Sequence, residues 1–148
     1  MATALIILAA GKGTRMKSDL PKVLHPVAGA PLLAHAMRAG AALAPDRTVV
    51  VAGHGAAEVA AAARAHCAGV QVARQDDQLG TAHAVTRAAP LLAGFTGDAI
   101  VLYGDTPFIS PETLARMAKA RGTHDIVVLG FDAADPGRYG RLVMAGDR

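Results

Sequence analysis

The sequence is poor in cysteine and in aromatic residues. Its 148 residues include one cysteine, no tryptophan and only 3% aromatic side chains. A single thiol, Cys67, excludes an internal disulfide and a cysteine-based zinc site, and its alanine-rich surroundings are typical of a small buried apolar residue. We therefore predict one domain that needs no covalent or zinc cross-link and that folds in a reducing, cytoplasmic compartment.

Two classes of partner are disfavoured by what is missing. No apolar run approaches the roughly 18 residues that a membrane helix needs, and the segment from Met1 to Leu8 lacks the basic start of a signal peptide. The formal net charge is +3, but the cations form no run and few aromatic rings could stack on bases. The sequence thus predicts no membrane and no nucleic-acid partner, and a local anionic ligand explains the charge better.

Short apolar runs are abundant, and they alternate with helical patterns. The runs typical of buried strands are Ala4–Ala9, Arg47–Ala52, Val70–Arg74, Ala99–Tyr103 and Asp125–Phe131. The predicted helices are Pro31–Leu43, Ala56–His66, Thr81–Leu92 and one that opens at Ser110-Pro111-Glu112, with a serine cap and a proline in the first turn. This alternation predicts an α/β domain, with a Rossmann-like, mostly parallel sheet and helices on both faces.

The predicted topology gives the position of a site. Ligands of open α/β sheets bind outside the carboxyl ends of the strands. The loops at Gly11, His54, Gln75 and Asp105 each follow a predicted strand. We therefore expect these four loops to lie along one edge of the sheet.

The last residues predict an incomplete hairpin. Tyr139–Met144 has the pattern of a strand that enters a turn at Ala145-Gly146-Asp147, with no returning partner. A lone hairpin arm leaves its edge groups unpaired. We therefore expect the 148 residues to be the front part of a longer protein, truncated on the C-terminal side of the domain.

The loop after the first strand reads LAAGKGTRMKSDLPKVL, residues 8–24. Its glycines let the backbone approach a ligand and direct N–H groups at an anion, while nearby cations can neutralise phosphate. Those cations are Lys12, Arg15, Lys17 and Lys22. A Walker loop is excluded because one residue, not four, separates Gly11 from Gly13, and a dinucleotide fingerprint would need a third glycine where Met16 stands.

This loop and three further motifs resemble a known family. The motifs are QDDQLGTAHA (Gln75–Ala84), LYGDTP (Leu102–Pro107) and GRYGR (Gly137–Arg141). Together they are similar to the sugar-nucleotide pyrophosphorylases, whose fold is of the nucleotide-diphospho-sugar transferase type. Within that family they resemble the N-terminal domain of the bacterial bifunctional N-acetylglucosamine-1-phosphate uridylyltransferases / glucosamine-1-phosphate acetyltransferases. The match runs in register over essentially the whole chain.

The resemblance implies a reaction. Such enzymes transfer UMP from UTP to N-acetylglucosamine 1-phosphate with the help of Mg²⁺, giving pyrophosphate and UDP-N-acetylglucosamine, a precursor of bacterial envelope polymers. The nucleophile is already a phosphate oxygen, so positioning and charge stabilisation can supply catalysis without a general base. Full-length members continue into an acetyltransferase part and form homotrimers, whereas these residues indicate no oligomeric state.

The resemblance also implies roles for charged residues. It assigns Arg15 to the triphosphate and the departing pyrophosphate, and Lys22 to the region of the α-phosphate, with Lys12 as a weaker third candidate. Asp105 is the expected metal ligand, because Mg²⁺ takes one or two carboxylates together with phosphates and waters. The family's second protein ligand for the metal lies beyond this chain.

Base and sugar contacts are implied in the same way. The expected nucleotide-binding residues are Leu8, Ala9, Ala10, Gly11, Gln75, Gly80 and Thr81, and Gln78 is the less suitable amide for reading the base. The expected sugar-phosphate contacts are Tyr103, Gly104 and Gly140. A glutamine amide together with main-chain groups can match the two carbonyls and the N–H of uracil.

Three alternatives stay open. The first is another nucleotidyltransferase of the same fold, such as a cytidylyltransferase, although the Gln-Leu-Gly-Thr and Tyr-Gly-Asp stretches disfavour it. The second is a truncated nucleotide-binding module without turnover. The third is a histidine-based metal site, which is disfavoured because the six histidines form no i, i+4 pair and no short cluster. We assign them to surface or packing positions, with His54 and His83 nearest to the expected site.

Overall fold

A computed structural model describes residues 2–137 and 139–145. The chain divides into two compact units, Met1–Leu114 and Ala115–Arg148. All strands among the described residues belong to the first unit: β1 (Thr3–Ala9), β2 (Pro26–Val27), β3 (Ala30–Pro31), β4 (Arg47–Ala52), β5 (Gln71–Arg74) and β6 (Asp98–Tyr103).

Four of the strands form a parallel sheet in the order β5-β4-β1-β6. In the centre of this sheet, Ile7 is in register with Val50 on one side and with Leu102 on the other. The chain first builds outward from β1 through β4 to β5, and it then returns to place β6 on the opposite side of β1. Such a reversal leaves a crevice at the carboxyl ends of the strands. The parallel register confirms that the loops at Gly11, His54, Gln75 and Asp105 share one edge.

Helices cover both faces of the sheet, as predicted. The helices packed on the sheet are α1 (Leu32–Ala41), α2 (Ala56–His66) and α3 (Thr81–Ala88), and α4 (Pro111–Arg121) follows β6 in the chain. On one face, Ala84 and Ala88 of α3 belong to a buried cluster with Ile6 and Val49. On the other face, Gly40 of α1 lies directly against Leu5, because a side chain at that position would meet the leucine. Among the described residues, no helix is both long enough and apolar enough to span a bilayer.

Local signals explain where two of the helices begin and end. The expected helix over Thr81–Leu92 is α-helical only as far as Ala88 and continues as a 3-10 turn, because Pro90 cannot continue the α-helical hydrogen bonds. The predicted cap of α4 is confirmed, since the Thr113 N–H donates to Oγ of Ser110 at 3.2 Å. Hydrogen bonds from its own backbone N–H and from Ser110 hold the pKa of Glu112 below its ordinary value.

Two predicted strands are wrong. Neither Asp125–Phe131 nor the segment 139–144 forms a strand, and Ile126 and Phe131 are 79% and 72% exposed. A strand needs a hydrogen-bonded neighbour as well as an apolar pattern, and none of the described residues pairs with these segments. Instead, the rings of Phe131 and Tyr139 pack edge to face at 5.3 Å within the second unit. Of the predicted turn at Ala145-Gly146-Asp147, the last two residues lie outside the described residues.

Candidate active site

A pocket of about 300 Å³ opens at the carboxyl edge of the sheet, in the first unit. Most of the predicted site residues line it: Leu8, Ala10, Gly11, Lys22, Gln75, Gly80, Thr81, Tyr103 and Asp105. They come from the ends of β1, β5 and β6, from the glycine loop and from the start of α3. The topology therefore brings together side chains that lie far apart in the sequence.

The remaining predicted residues do not line this pocket. Ala9 is buried, and Gly104 is buried with its N–H donating to the Leu8 carbonyl at 2.9 Å. Arg15 is exposed, in the short 3-10 turn Thr14–Met16 that follows the glycines. Gly140 belongs to the second unit. Arg15 therefore has no described contact with the pocket lining, and its role in phosphate binding stays a prediction.

The central charges of the pocket are Lys22 and Asp105. The Lys22 Nζ atom lies 2.5 Å from Oδ2 of Asp105, and the two side chains are 40% and 28% exposed. An ion pair this accessible to solvent stabilises a fold by about 1 kcal/mol at most. The pair therefore places a cation and a carboxylate at the pocket, and the stability of the fold depends little on either side chain.

Glycines allow the loop that carries Lys22 to fit closely. Gly13 has φ +60°, and a Cβ there would lie 2.6 Å from Cβ of Lys22. Gly55, with φ +61°, similarly leaves no room for a side chain against Pro21. Left-handed backbone conformations are strained for other residues. These turns after β1 and β4 therefore help to hold Lys22 beside the end of β6.

The opposite wall of the pocket carries a buried amide. Gln75 is only 4% exposed, and its Nε2 donates to the Gly80 carbonyl at 3.1 Å and contacts Nδ1 of His83 at 3.1 Å. Gly80 makes the bend possible with φ +97°. A buried, fully oriented amide is suited to reading the edge of a base.

Sequence reasoning missed part of the lining. Val23 and Ala84 add apolar surface, and Gln78 also lines the pocket, with its Nε2 donating to the Ala10 carbonyl at 2.7 Å. Val23 directly follows Lys22 within the Pro-Lys-Val-Leu stretch, so its position next to a predicted site residue could have indicated that it lines the pocket. Nothing in the sequence marks Ala84, because an alanine on a helix is ordinary core material.

The pocket supplies few protein ligands for a divalent cation. Within residues 2–137 and 139–145, no group of three or more histidine, cysteine or acidic side chains could hold a metal ion. Mg²⁺, however, prefers one or two carboxylates and takes its remaining ligands from phosphates and waters. Asp105, partly exposed at the pocket, supplies that single carboxylate. The donor set therefore fits Mg²⁺ bound together with a phosphate ligand.

Comparison with known proteins decides the family. The model of the MobA-like NTP transferase domain matches residues 5–145. The chain belongs to this family. It is thus a nucleotidyltransferase domain, and a pocket at the carboxyl edge with a cation and a carboxylate agrees with a nucleoside triphosphate as ligand.

Curated relatives are similar over nearly the whole chain. The chain is 69% identical over 147 residues to the "Bifunctional protein GlmU" of Ruegeria pomeroyi and 66% identical over 144 residues to that of Cereibacter sphaeroides. These matches cover 99% and 97% of this chain but 33% and 32% of the relatives. The nucleotidyltransferase chain thus spans about a third of the length of the curated relatives it matches.

Solved structures agree on the fold. A nucleotidyl transferase from Methanothermobacter thermautotrophicus is 29% identical, with a TM-score of 0.68, over 80% of this chain and 57% of that chain. The UTP-bound UGPase of Acinetobacter baumannii has a TM-score of 0.66 at 18% identity, over 84% of this chain and 54% of that chain. The second likeness shows a common fold alone. Both confirm the predicted nucleotidyltransferase type of α/β fold.

Proposed function

We propose that this domain transfers UMP from UTP to N-acetylglucosamine 1-phosphate, giving UDP-N-acetylglucosamine and pyrophosphate in a Mg²⁺-dependent reaction. Its high identity to the bifunctional GlmU proteins supports this choice within the family. The observation that carries the proposal is that Lys22 and Asp105 meet at 2.5 Å in the pocket that the glycine loop and Gln75 also line. The same pocket therefore offers groups for a base, for phosphates and for a metal.

We assign the base to Gln75, Gly80, Thr81 and the backbone from Leu8 to Gly11. Gln75 is held by two hydrogen bonds, so its amide is oriented before the nucleotide arrives. A Cβ added at Gly11 would meet no atom within 4 Å, so a ligand has room to approach the backbone there. Preorganised polar groups of this kind favour binding because little ordering remains to be done.

The phosphate end depends on fixed charge. Lys22 would neutralise the α-phosphate as negative charge develops there, and Arg15, on its exposed turn, would contact the departing pyrophosphate. Asp105 would hold Mg²⁺, which when bound supplies charge neutralisation between the phosphate groups. Lys22 now pairs with Asp105, so binding of the triphosphate would give this lysine a second anionic partner.

The acceptor must enter beside the α-phosphate, in line with the leaving group. Tyr103, which is half exposed, lines the pocket two positions before Asp105, and Gly104 keeps the backbone there close to β1. We assign these two residues to the sugar phosphate, and the role of Gly140, which belongs to the second unit, stays a prediction from the resemblance. Holding two mutually repelling anions in line accounts for much of the rate enhancement in such transfers.

The test is release of pyrophosphate from UTP and N-acetylglucosamine 1-phosphate. It is measured with and without Mg²⁺, on this chain and on a chain extended to the length of the curated relatives. We expect the extended chain to turn over UTP only when Mg²⁺ is present. Turnover of CTP with an alcohol phosphate, but not of UTP, would contradict the proposal and favour a cytidylyltransferase. Tight binding of UTP without turnover in either chain would favour a binding module.

A further inference from the structure

His83 contacts Gln75, a residue that lines the pocket. It lies in the first turn of α3, half-buried, with Nδ1 3.1 Å from Nε2 of Gln75. No part of the proposed reaction uses this histidine. Its partner, however, is the buried amide to which base recognition is assigned.

The Gly80 carbonyl favours one of the two orientations of the Gln75 amide. This carbonyl accepts from the Ala84 N–H at 3.1 Å and from Nε2 of Gln75 at 3.1 Å. A carbonyl oxygen cannot donate, so a reversed amide would place two oxygens against each other and leave a buried polar group unpaired. The nitrogen of the Gln75 side chain must therefore face Gly80.

This orientation in turn determines the proton on His83. Nε2 of Gln75 carries two hydrogens, of which one goes to Gly80 and the other to Nδ1 of His83. Nδ1 can accept only when it is unprotonated, so the imidazole is neutral with its hydrogen on Nε2. Among the described residues, Oε1 of Gln75 accepts no hydrogen bond, and Gln75 is one of the residues that line the pocket.

We propose that His83 is a positioning residue which, with the Gly80 carbonyl, keeps both hydrogens of the Gln75 amide turned away from the base and presents its oxygen to the ligand. This inference rests on the proposed use of UTP. An oxygen accepts from the N3–H of uracil, whereas cytosine carries an unprotonated nitrogen at that position and is repelled. The contacts of Gly80 and His83 with Gln75 therefore favour UTP over CTP.

Two substitutions separate the hydrogen bond from simple packing. His83→Asn retains an acceptor on the same branch of the side chain and has a similar helix propensity. His83→Leu retains bulk but removes the acceptor, so one of the two hydrogen bonds of Nε2 is lost and the Gly80 carbonyl alone opposes rotation of the Gln75 amide. If His83 only fills space, His83→Leu should change the UTP-to-CTP affinity ratio less than His83→Asn does. If His83 positions the Gln75 amide, His83→Leu should change this ratio more.

The experiment measures the affinities of UTP and CTP by calorimetry, with Mg²⁺, on the wild-type chain and on both variants. Because one hydrogen bond is at stake, we expect His83→Leu to lower the UTP-to-CTP affinity ratio about fivefold or more, while His83→Asn stays within about twofold of the wild type. Thermal melting checks that each variant folds. An unchanged ratio in a folded His83→Leu variant would overturn the inference.

A second measurement needs neither a nucleotide nor a variant. Nitrogen-15 NMR of the imidazole at neutral pH reports the tautomer, and we expect an unprotonated Nδ1 with the hydrogen on Nε2. A hydrogen on Nδ1 would overturn the positioning role even if His83→Leu fails to fold. A wild-type chain that binds UTP no better than CTP would also overturn the inference, whereas the proposed function fails only if the extended chain releases no pyrophosphate from UTP and N-acetylglucosamine 1-phosphate.

Discussion

The two ends of the parallel sheet differ in how they use charged side chains. At the amino end, Arg47 opens β4 and donates to the carbonyls of Leu91 and Ala93, each at 3.2 Å. The carboxylate of Asp46 accepts from the Thr3 N–H at 2.8 Å. These charges satisfy backbone groups of the same unit, so they serve the fold.

At the carboxyl end the charges pair with each other at the pocket. Lys22 and Asp105 lie 83 residues apart in the chain, and the side-chain contact described for each is the ion pair that they form. The two ends of one sheet thus use charged side chains differently: those at the amino end bond to backbone groups, and those at the carboxyl end bond to each other beside a pocket. Substitutions at the amino edge should therefore change stability, whereas substitutions of the pocket charges should change activity.

The largest effect is expected at a glycine that supports the carboxyl edge. Gly55→Val places a side chain against Pro21 in a left-handed conformation, so the free energy of unfolding should fall by about 2–3 kcal/mol and Lys22 should be displaced. Urea denaturation measures the loss. The matched control is Gly69→Ala, near the start of β5, where an added Cβ meets no atom within 4 Å. Equal stability of the two variants would contradict this account of the loop.

The pocket charges come next. We expect Asp105→Asn and Lys22→Ala each to lower turnover at least about tenfold, or roughly 1.4 kcal/mol of barrier. Their melting temperatures should stay close to the wild-type value, because this partly exposed pair adds little stability. Steady-state assays of pyrophosphate release on the extended chain test this expectation, and wild-type rates in both variants would refute the assigned roles.

Arg47→Met should give the opposite result. The variant loses hydrogen bonds to two carbonyls and the contact of the guanidinium with the Phe95 ring, 5.7 Å from its centre. We expect the free energy of unfolding to fall by about 1–2 kcal/mol, with affinity for UTP unchanged. Chemical denaturation and nucleotide titration on the same preparation check the two halves. A loss of UTP affinity would erase the distinction between the two ends of the sheet.

The smallest effect is expected at an exposed ion pair beside the pocket. Arg74 and Asp76 lie 2.8 Å apart but are 67% and 66% exposed. Asp76→Asn should therefore change the free energy of unfolding by less than about 0.5 kcal/mol, and turnover should stay within about twofold. This variant is the matched control for Asp105→Asn. A tenfold loss of turnover here would mean that carboxylates near the pocket matter for reasons other than metal binding.

Much of the fold was predictable because burial and pairing coincide in the centre of the sheet. The runs at Ala4–Ala9 and Val49–Ala52 are apolar throughout, and the structure pairs them in parallel register. The same reasoning failed over Asp125–Phe131, where an apolar pattern has no described neighbour. Two-residue strands such as Pro26–Val27 are too short for any periodicity to indicate.

The candidate site was predictable at the level of loops and not at the level of contacts. Parallel topology places the loops after the strands at one edge, so the nearness of Lys22 to Asp105 followed from the resemblance and the fold. The bond between Gln75 and His83 did not follow, because it depends on the bend at Gly80, whose φ is +97°. A sequence indicates that a glycine is present, but it does not indicate which side chains the resulting bend brings together.

The most direct test of the central claim compares two variants that each lack one cationic side chain, at opposite ends of the strands of the same sheet. Lys22→Met and Arg47→Met each remove one positive charge, so nonspecific attraction of an anion changes equally in both. UTP affinity is measured by calorimetry in the presence of Mg²⁺. The account predicts at least about tenfold weaker binding in Lys22→Met, or roughly 1.4 kcal/mol, and no change in Arg47→Met. Equal affinities in the two variants would contradict it.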